Sequence, residues 1–325
     1  MKLAVVAGVF APAALDEVLD QVVSHGFDAV EFPTGNYGGT PCFDLTVVLT
    51  DRGALRSLRG AVESRGLTIS ALSCQGNPLH PREEIAGPHH AVMLQTFRLA
   101  AELGVEVVNV FSGCPGAGDG SRYPYWVSCA WPPDFLEVLE WQWREKLLPY
   151  WHSVVAEAGR LGVSRLAMEL HPGFLVYNPR TLLELRQAVG PQIGANPDPS
   201  HLFWQGIDPS VAIRELGGQG AVFNFHAKDT FIDPVETARN GVFETRPYDR
   251  IGERGWFFRM PGYGHSSDVW DRIILELRRI GYDGAVSIEH EDASFSRDEG
   301  IARAVAFLRD RIFRDPRPEE IWWGH

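Results

Sequence analysis

Short apolar runs alternate with longer segments of helical period along the whole chain, and no other feature restricts its fold as tightly. Apolar runs bounded by turn residues read as buried strands, and apolar positions recurring every three or four residues read as amphipathic helices. Strands are expected over residues 3–9, 29–32, 68–73, 105–111, 165–170, 193–196, 221–226 and 285–289. Helices are expected at about 13–25, 51–65, 88–103, 139–161, 179–188, 209–216, 267–280 and 298–313. Parallel strands need a crossover, and a helix after each strand supplies one. Eight such units predict a single (β/α)8 TIM barrel over residues 1–314, with 315–325 as a C-terminal arm.

Glycines 26, 66, 104, 162 and 281 each stand between a helix and the next strand. Glycine tolerates the left-handed backbone that closes a helix, so these positions mark the bottom of the barrel. Two connections after strands are far longer than the rest: 112–135 after the fourth strand and 228–265 after the seventh. Loops on that side of a barrel form the catalytic face, so both are expected to roof a site.

Composition narrows the chemistry. At 325 residues the chain fits one large α/β unit, and a formal charge of −12 leaves no basic stripe to neutralise phosphates, so nucleic acid is not an expected partner. Cys42, Cys74, Cys114 and Cys129 are dispersed, with no CxxC pair, which predicts free thiols in a reducing compartment. The apolar start at 3–10 reads as a first strand and not a signal peptide. No run approaches the roughly 20 apolar residues of a membrane span. A cytoplasmic protein without a membrane partner is the expectation. Aromatic residues in the tail and at Trp141 and Trp143 raise the expectation of a homo-oligomer.

Side chains alternate along a strand, so parity assigns the barrel axis. On the fifth strand Ala167, Glu169 and His171 share one face; on the sixth, Gly194, Asn196 and Asp198; on the seventh, Asn224, His226 and Lys228, opposite Phe223 and Phe225; on the eighth, Ala285, Ser287 and Glu289. Glu169, Asp198, His226 and Glu289 therefore converge at the C-terminal end of the axis. Buried carboxylates of one sign repel and cost free energy unless a cation neutralises them. Three carboxylates with one imidazole suit Mn²⁺ first, with Mg²⁺, Co²⁺ or Zn²⁺ as alternatives, and leave room for substrate oxygens.

At these residues the chain resembles the xylose isomerase-like TIM barrels, which include sugar and sugar-phosphate isomerases and epimerases, inosose dehydratases and endonuclease IV. The resemblance spans essentially the whole chain. It rests on Met168-Glu169-Leu170-His171-Pro172, Asp198-Pro199-Ser200-His201-Leu202, Phe225-His226-Ala227-Lys228-Asp229 and Ser287-Ile288-Glu289-His290-Glu291-Asp292. The resemblance implies that Glu169, Asp198, His226 and Glu289 hold one metal ion, that Glu169 and Glu289 also serve as the acid/base pair, and that His201 touches a substrate oxygen. The DNA-repair branch needs extra histidines on the third and fourth strands, and the fourth strand here has none.

The expected reaction is proton transfer beside the carbonyl of a ketose or keto-sugar through a metal-stabilised enediolate, giving isomerisation or epimerisation. The alternative is a lyase, either a 3-keto-glycoside deglycosidase acting by β-elimination or an inosose dehydratase-like enzyme. His171, His201, Lys228 or His265 would then protonate the departing oxygen, and loop aromatics such as Trp126, Trp131 and Trp256 would stack on an aglycone or second sugar. Glu31, at the end of the second strand, is a candidate contact to a substrate hydroxyl. Trp204 reads as packing. No glycine-rich phosphate cradle follows the last strands, which favours a neutral sugar or keto-glycoside.

Overall fold

The computed structural model describes residues 1–39, 41–315 and 323. Eight parallel strands form the barrel: β1 (Lys2–Val6), β2 (Ala29–Pro33), β3 (Thr68–Ser73), β4 (Val107–Val110), β5 (Arg165–Glu169), β6 (Ile193–Asn196), β7 (His226–Ala227) and β10 (Ala285–Ile288). They are hydrogen-bonded in the order β6-β5-β4-β3-β2-β1-β10-β7. A single parallel bridge between Ala195 and Val222 brings the two ends together. This is the predicted (β/α)8 arrangement. The arm expected over 315–325 lies outside the described residues, except for Asp315 and an exposed Trp323.

The outward faces of the strands and the inward faces of the helices make one continuous apolar layer. Leu166, Met168, Val286 and Ile288 face α1 (Leu15–His25), α6 (Leu148–Arg160), α11 (Ser267–Arg279) and α12 (Arg297–Arg309) within it. Inside the barrel the floor is filled by small residues in two clusters, Ala4, Ala29 and Ala285 beside Ala71, Val107 and Ala167. All five marker glycines have positive φ, from 70° at Gly66 to 82° at Gly162, as the helix-closing role requires.

Alternation fails on β3, where the register with β2 shifts between Ile69 and Ala71, and again just before β7. Phe223, expected to point outward, packs against Ala71, Val107 and Ala167 inside the barrel, while its neighbour Asn224 also points inward. Their two N–H groups converge on the same carbonyl, Ala195 O, at 2.9 and 3.4 Å, which is a β-bulge. Gly194 explains the register: a Cβ there would collide with the Phe223 ring. The extra residue restores His226 to the axis and limits β7 to two residues.

The two long connections are more structured than expected. The segment after β4 leads into α5 (Asp134–Trp141), then a π-helical turn at Gln142–Leu147 and α6, where one continuous helix was expected from residue 139. The π turn points a fully buried Gln142 beneath the loop, where Nε2 donates to Gly116 O and Tyr125 O at 3.1 and 2.6 Å. The segment after β7 holds an antiparallel hairpin, β8 (Asp229–Ile232) with β9 (Trp256–Arg259), and the helix α10 (Pro234–Asn240) between them. No helix among the described residues is long and apolar enough to cross a membrane.

Candidate functional site

Above the alanine floor the axis becomes polar. Glu31 on β2 is fully buried and takes hydrogen bonds from Ser73 on β3, Asn109 on β4 at 2.7 Å, and Asn224 at 3.2 Å. His226 Nε2 lies 2.9 Å from Glu31 Oε1. A carboxylate facing Nε2 fixes the proton on that nitrogen and turns Nδ1 toward the next layer as an acceptor. Burial alone would raise the Glu31 carboxyl, but His226 and the Ser73 hydroxyl outweigh it and hold it below the usual carboxylate range. Burial works against charge on His226 too, yet Glu31 and Glu289 hold its imidazole well above its ordinary range.

The next layer holds the four residues expected to converge. Glu169, Asp198, His226 and Glu289 each bring one donor atom into a cluster whose atoms all lie within 4.8 Å of one another. Asp198 has a divided role: Oδ1 accepts from Ser200 N at 2.8 Å as the N-cap of the short helix α8 (Pro199–Phe203), and Oδ2 turns to the cluster. His226 Nδ1 stands 3.7 Å from Glu169 Oε2 and 3.5 Å from Glu289 Oε2, buried and without a hydrogen-bond partner. Lys228 Nζ lies 2.5 Å from Glu289 Oε2, 2.7 Å from Glu291 Oε2 and 3.2 Å from Asp198 Oδ2. One ammonium against four carboxylates leaves the cluster short of positive charge. Burial pushes the Asp198 carboxyl up to about 7; Lys228 opposes this, and Glu169 and Glu289 reinforce it. An oxygen-rich set with one orphaned imidazole nitrogen fits a divalent cation, and a cation would relieve that repulsion.

The cluster opens into a cavity of about 430 Å³ at the C-terminal end of the barrel. Gln75, just past β3, donates to Glu169 Oε2 at 3.1 Å, and His201 Nε2 sits 3.0 Å from Glu169 Oε1. The Gln75 amide orients the Glu169 carboxylate, while the buried His201 Nε2 stands close without a hydrogen-bond partner. His201 packs against His171 with ring centroids 4.1 Å apart. Burial, His171 and Lys228 together hold His201 well below the usual imidazole range, so it is neutral at pH 7. Glu289 is raised by burial but held well below the usual range by Lys228 and His226, so it is ionised at pH 7. Phe111, Phe174, Phe257 and Phe258 supply the apolar wall.

Two residues singled out from sequence stand elsewhere. Glu31 lies beneath His226 with its oxygens engaged and does not line the cavity, so it supports His226 and does not reach a substrate hydroxyl. His265 stacks on Phe203 at 3.6 Å between centroids and places Nδ1 2.8 Å from Asp229 Oδ1, also away from the cavity. Lys228, His171 and His201 do line it.

Sequence reasoning gave Asp229 no role. Fully buried, it receives the backbone N–H groups of Thr230, Gly262, Gly264 and His265, the Trp270 indole N–H and His265 Nδ1. This carboxylate ties the hairpin and the following turn to the barrel. Its signal was its place directly after Lys228 in the Phe225–Asp229 motif, which pattern alone does not distinguish from a surface aspartate.

A family model described as xylose isomerase-like TIM barrel matches residues 19–311. The chain is 36% identical over 314 residues to uncharacterized protein YfiH of Bacillus subtilis (strain 168), covering 96% of this chain and 99% of that protein. Among solved structures it is similar to a D-tagatose 3-epimerase-like protein, with a TM-score of 0.63 at 18% identity over 96% of this chain and 97% of the other. It is also similar to the probable 3-DHS dehydratase AsbF of Bacillus anthracis, with a TM-score of 0.64 at 16% identity over 96% and 100%. At these identities the structural likenesses show the fold.

Proposed function

Because the chain belongs to the xylose isomerase-like TIM barrel family, we propose that it is a divalent-cation-dependent isomerase or epimerase of a small ketose or keto-sugar. The observation that carries this reading is the pair Glu169 and Glu289, which share one cluster with Asp198 and His226 at the mouth of the barrel. Those four residues would hold the ion, Mn²⁺ foremost. When bound, it would supply Lewis acidity to the substrate's carbonyl.

The chain's own groups do the rest. Glu169, Glu289 and His201 line the cavity together, so a sugar ring there would lie against all three. The ionised Glu289 carboxylate suits removal of the proton from the carbon beside the carbonyl. Glu169, oriented by Gln75 and entering the step as the carboxylic acid, would give its proton to the other face, which inverts that carbon and leaves the proton taken from substrate on Glu289; delivery of a proton to the neighbouring carbon gives the isomer. His201, neutral and buried, would hold a substrate oxygen, and Lys228 keeps Glu289 ionised and in place. The phenylalanine wall would give the apolar edge of the sugar a surface to lie against.

Exchange in D₂O tests the proposal. Protein loaded with Mn²⁺ is incubated with ketoses, inososes and 3-keto-glycosides, the metal is removed with a chelator, and the sugars are read by NMR. Deuterium beside the carbonyl together with a new epimer or isomer is expected. Release of an aglycone with an unsaturated keto-sugar would replace the proposal with β-elimination, and no exchange on any sugar with metal bound would refute it.

A further inference from the structure

Lys228 is buried among the carboxylates, but its hold on them is uneven. Its ammonium donates to Glu289 Oε2 at 2.5 Å and to Glu291 Oε2 at 2.7 Å, and the Phe258 ring centroid lies 4.6 Å from Nζ. Asp198 Oδ2, at 3.2 Å, is close enough for an ion pair yet is buried without a hydrogen-bond partner. The lysine thus offsets the charge of Asp198 and leaves the lone pairs of that oxygen unclaimed. Glu289 and Asp198 belong to the cluster that could hold a cation. Glu291 does not; its side chain is 48% exposed on the cavity wall.

Glu169, Asp198 and Glu289 crowd like charges into a confined space, and an ammonium in their midst offsets part of the cost. A divalent ion drawn to the same oxygens meets that ammonium as a like charge, and salt screens a buried pair only weakly. The affinity of the cluster for the ion is therefore a difference between attraction to the carboxylates and repulsion from Lys228. That repulsion falls as the ammonium draws back. Glu291 offers the place to draw back to, since it lies outside the cluster and already accepts from Nζ, while the bond to Glu289 can persist.

We propose that Lys228 is a resident counter-cation that competes with the divalent ion and sets its affinity, turning from Asp198 toward Glu291 as the ion binds. The inference rests on the reading of Glu169, Asp198, His226 and Glu289 as a cation site and is independent of the sugar. It gives Glu291, which has no part in the proton transfer, a part in metal loading.

Calorimetric titration of chelator-treated protein with Mn²⁺, alongside thermal unfolding before the metal is added, tests it without turnover. Lys228→Met keeps most of the side-chain bulk and removes its charge. That variant is expected to bind Mn²⁺ about tenfold or more tightly than the wild type, and to unfold at a lower temperature before metal is added. Glu291→Gln is expected to bind Mn²⁺ several-fold more weakly, because the ammonium loses its retreat. In the double variant that loss is expected to shrink to within about twofold of Lys228→Met alone. The same loss with and without the lysine would make Glu291 a ligand or a plain negative charge and overturn the exchange. Equal or weaker binding by folded Lys228→Met overturns the competition. Glu291→Gln changes a half-exposed position, so unchanged or tighter binding there overturns the proposal even where the methionine variant does not fold. Failure of the wild type and every folded variant to bind Mn²⁺ overturns the cation site beneath it.

Discussion

The two halves of the barrel contribute to one axis in different ways. Strands β5, β6, β7 and β10, with the residues directly after them, carry every member of the candidate cation cluster: Glu169, Asp198, His226 and Glu289. Strands β2, β3 and β4 place Glu31, Ser73 and Asn109 on the same axis, but one layer lower and turned toward one another. The first half fixes a tautomer and a ring orientation, and the second presents charge to the cavity. A carboxylate in a barrel strand is thus not a cavity residue by virtue of facing inward; its height along the axis and its partners decide.

This division can be broken from either side. Glu289→Gln keeps the shape and removes the proposed base, and turnover is expected to fall by about 10² to 10⁴; near-normal rates in a metal-loaded variant would remove Glu289 from the chemistry. Glu31→Gln acts only through His226, so Mn²⁺ affinity measured by calorimetry is expected to fall by about 10- to 100-fold, with turnover at saturating metal much less affected. A collapse of turnover at saturating metal would give Glu31 a direct role. Ser73→Ala removes one hydrogen bond to a buried carboxylate, worth about 1.5 kcal/mol in urea unfolding, and turnover should change least of the three. An effect as large as that of Glu289→Gln would erase the distinction between the halves.

Much of this was legible in the sequence, for physical reasons. Parity is a strong signal where a strand is regular, so Glu169 and Glu289 were placed by counting from their neighbours. It held for Asn224 but failed at Phe223, which a bulge puts on the same side, and Gly194 across the ladder is the sequence mark of it. The depth of Glu31 was not legible, because parity gives direction and not height along the axis. The hairpin of β8 and β9 was hidden because its strands are separated by α10 and a further loop, beyond the reach of a short-turn signal.

Asp229 joins segments that are far apart in the chain. It follows Lys228 directly, and its six donors lie on the hairpin, the turn at Gly262–His265 and α11. The turn and α11 are therefore tied to the peptide that carries Lys228, the lysine beside Glu289. A single buried carboxylate thus couples the order of the turn to the position of the lysine, so the two are kept or lost together.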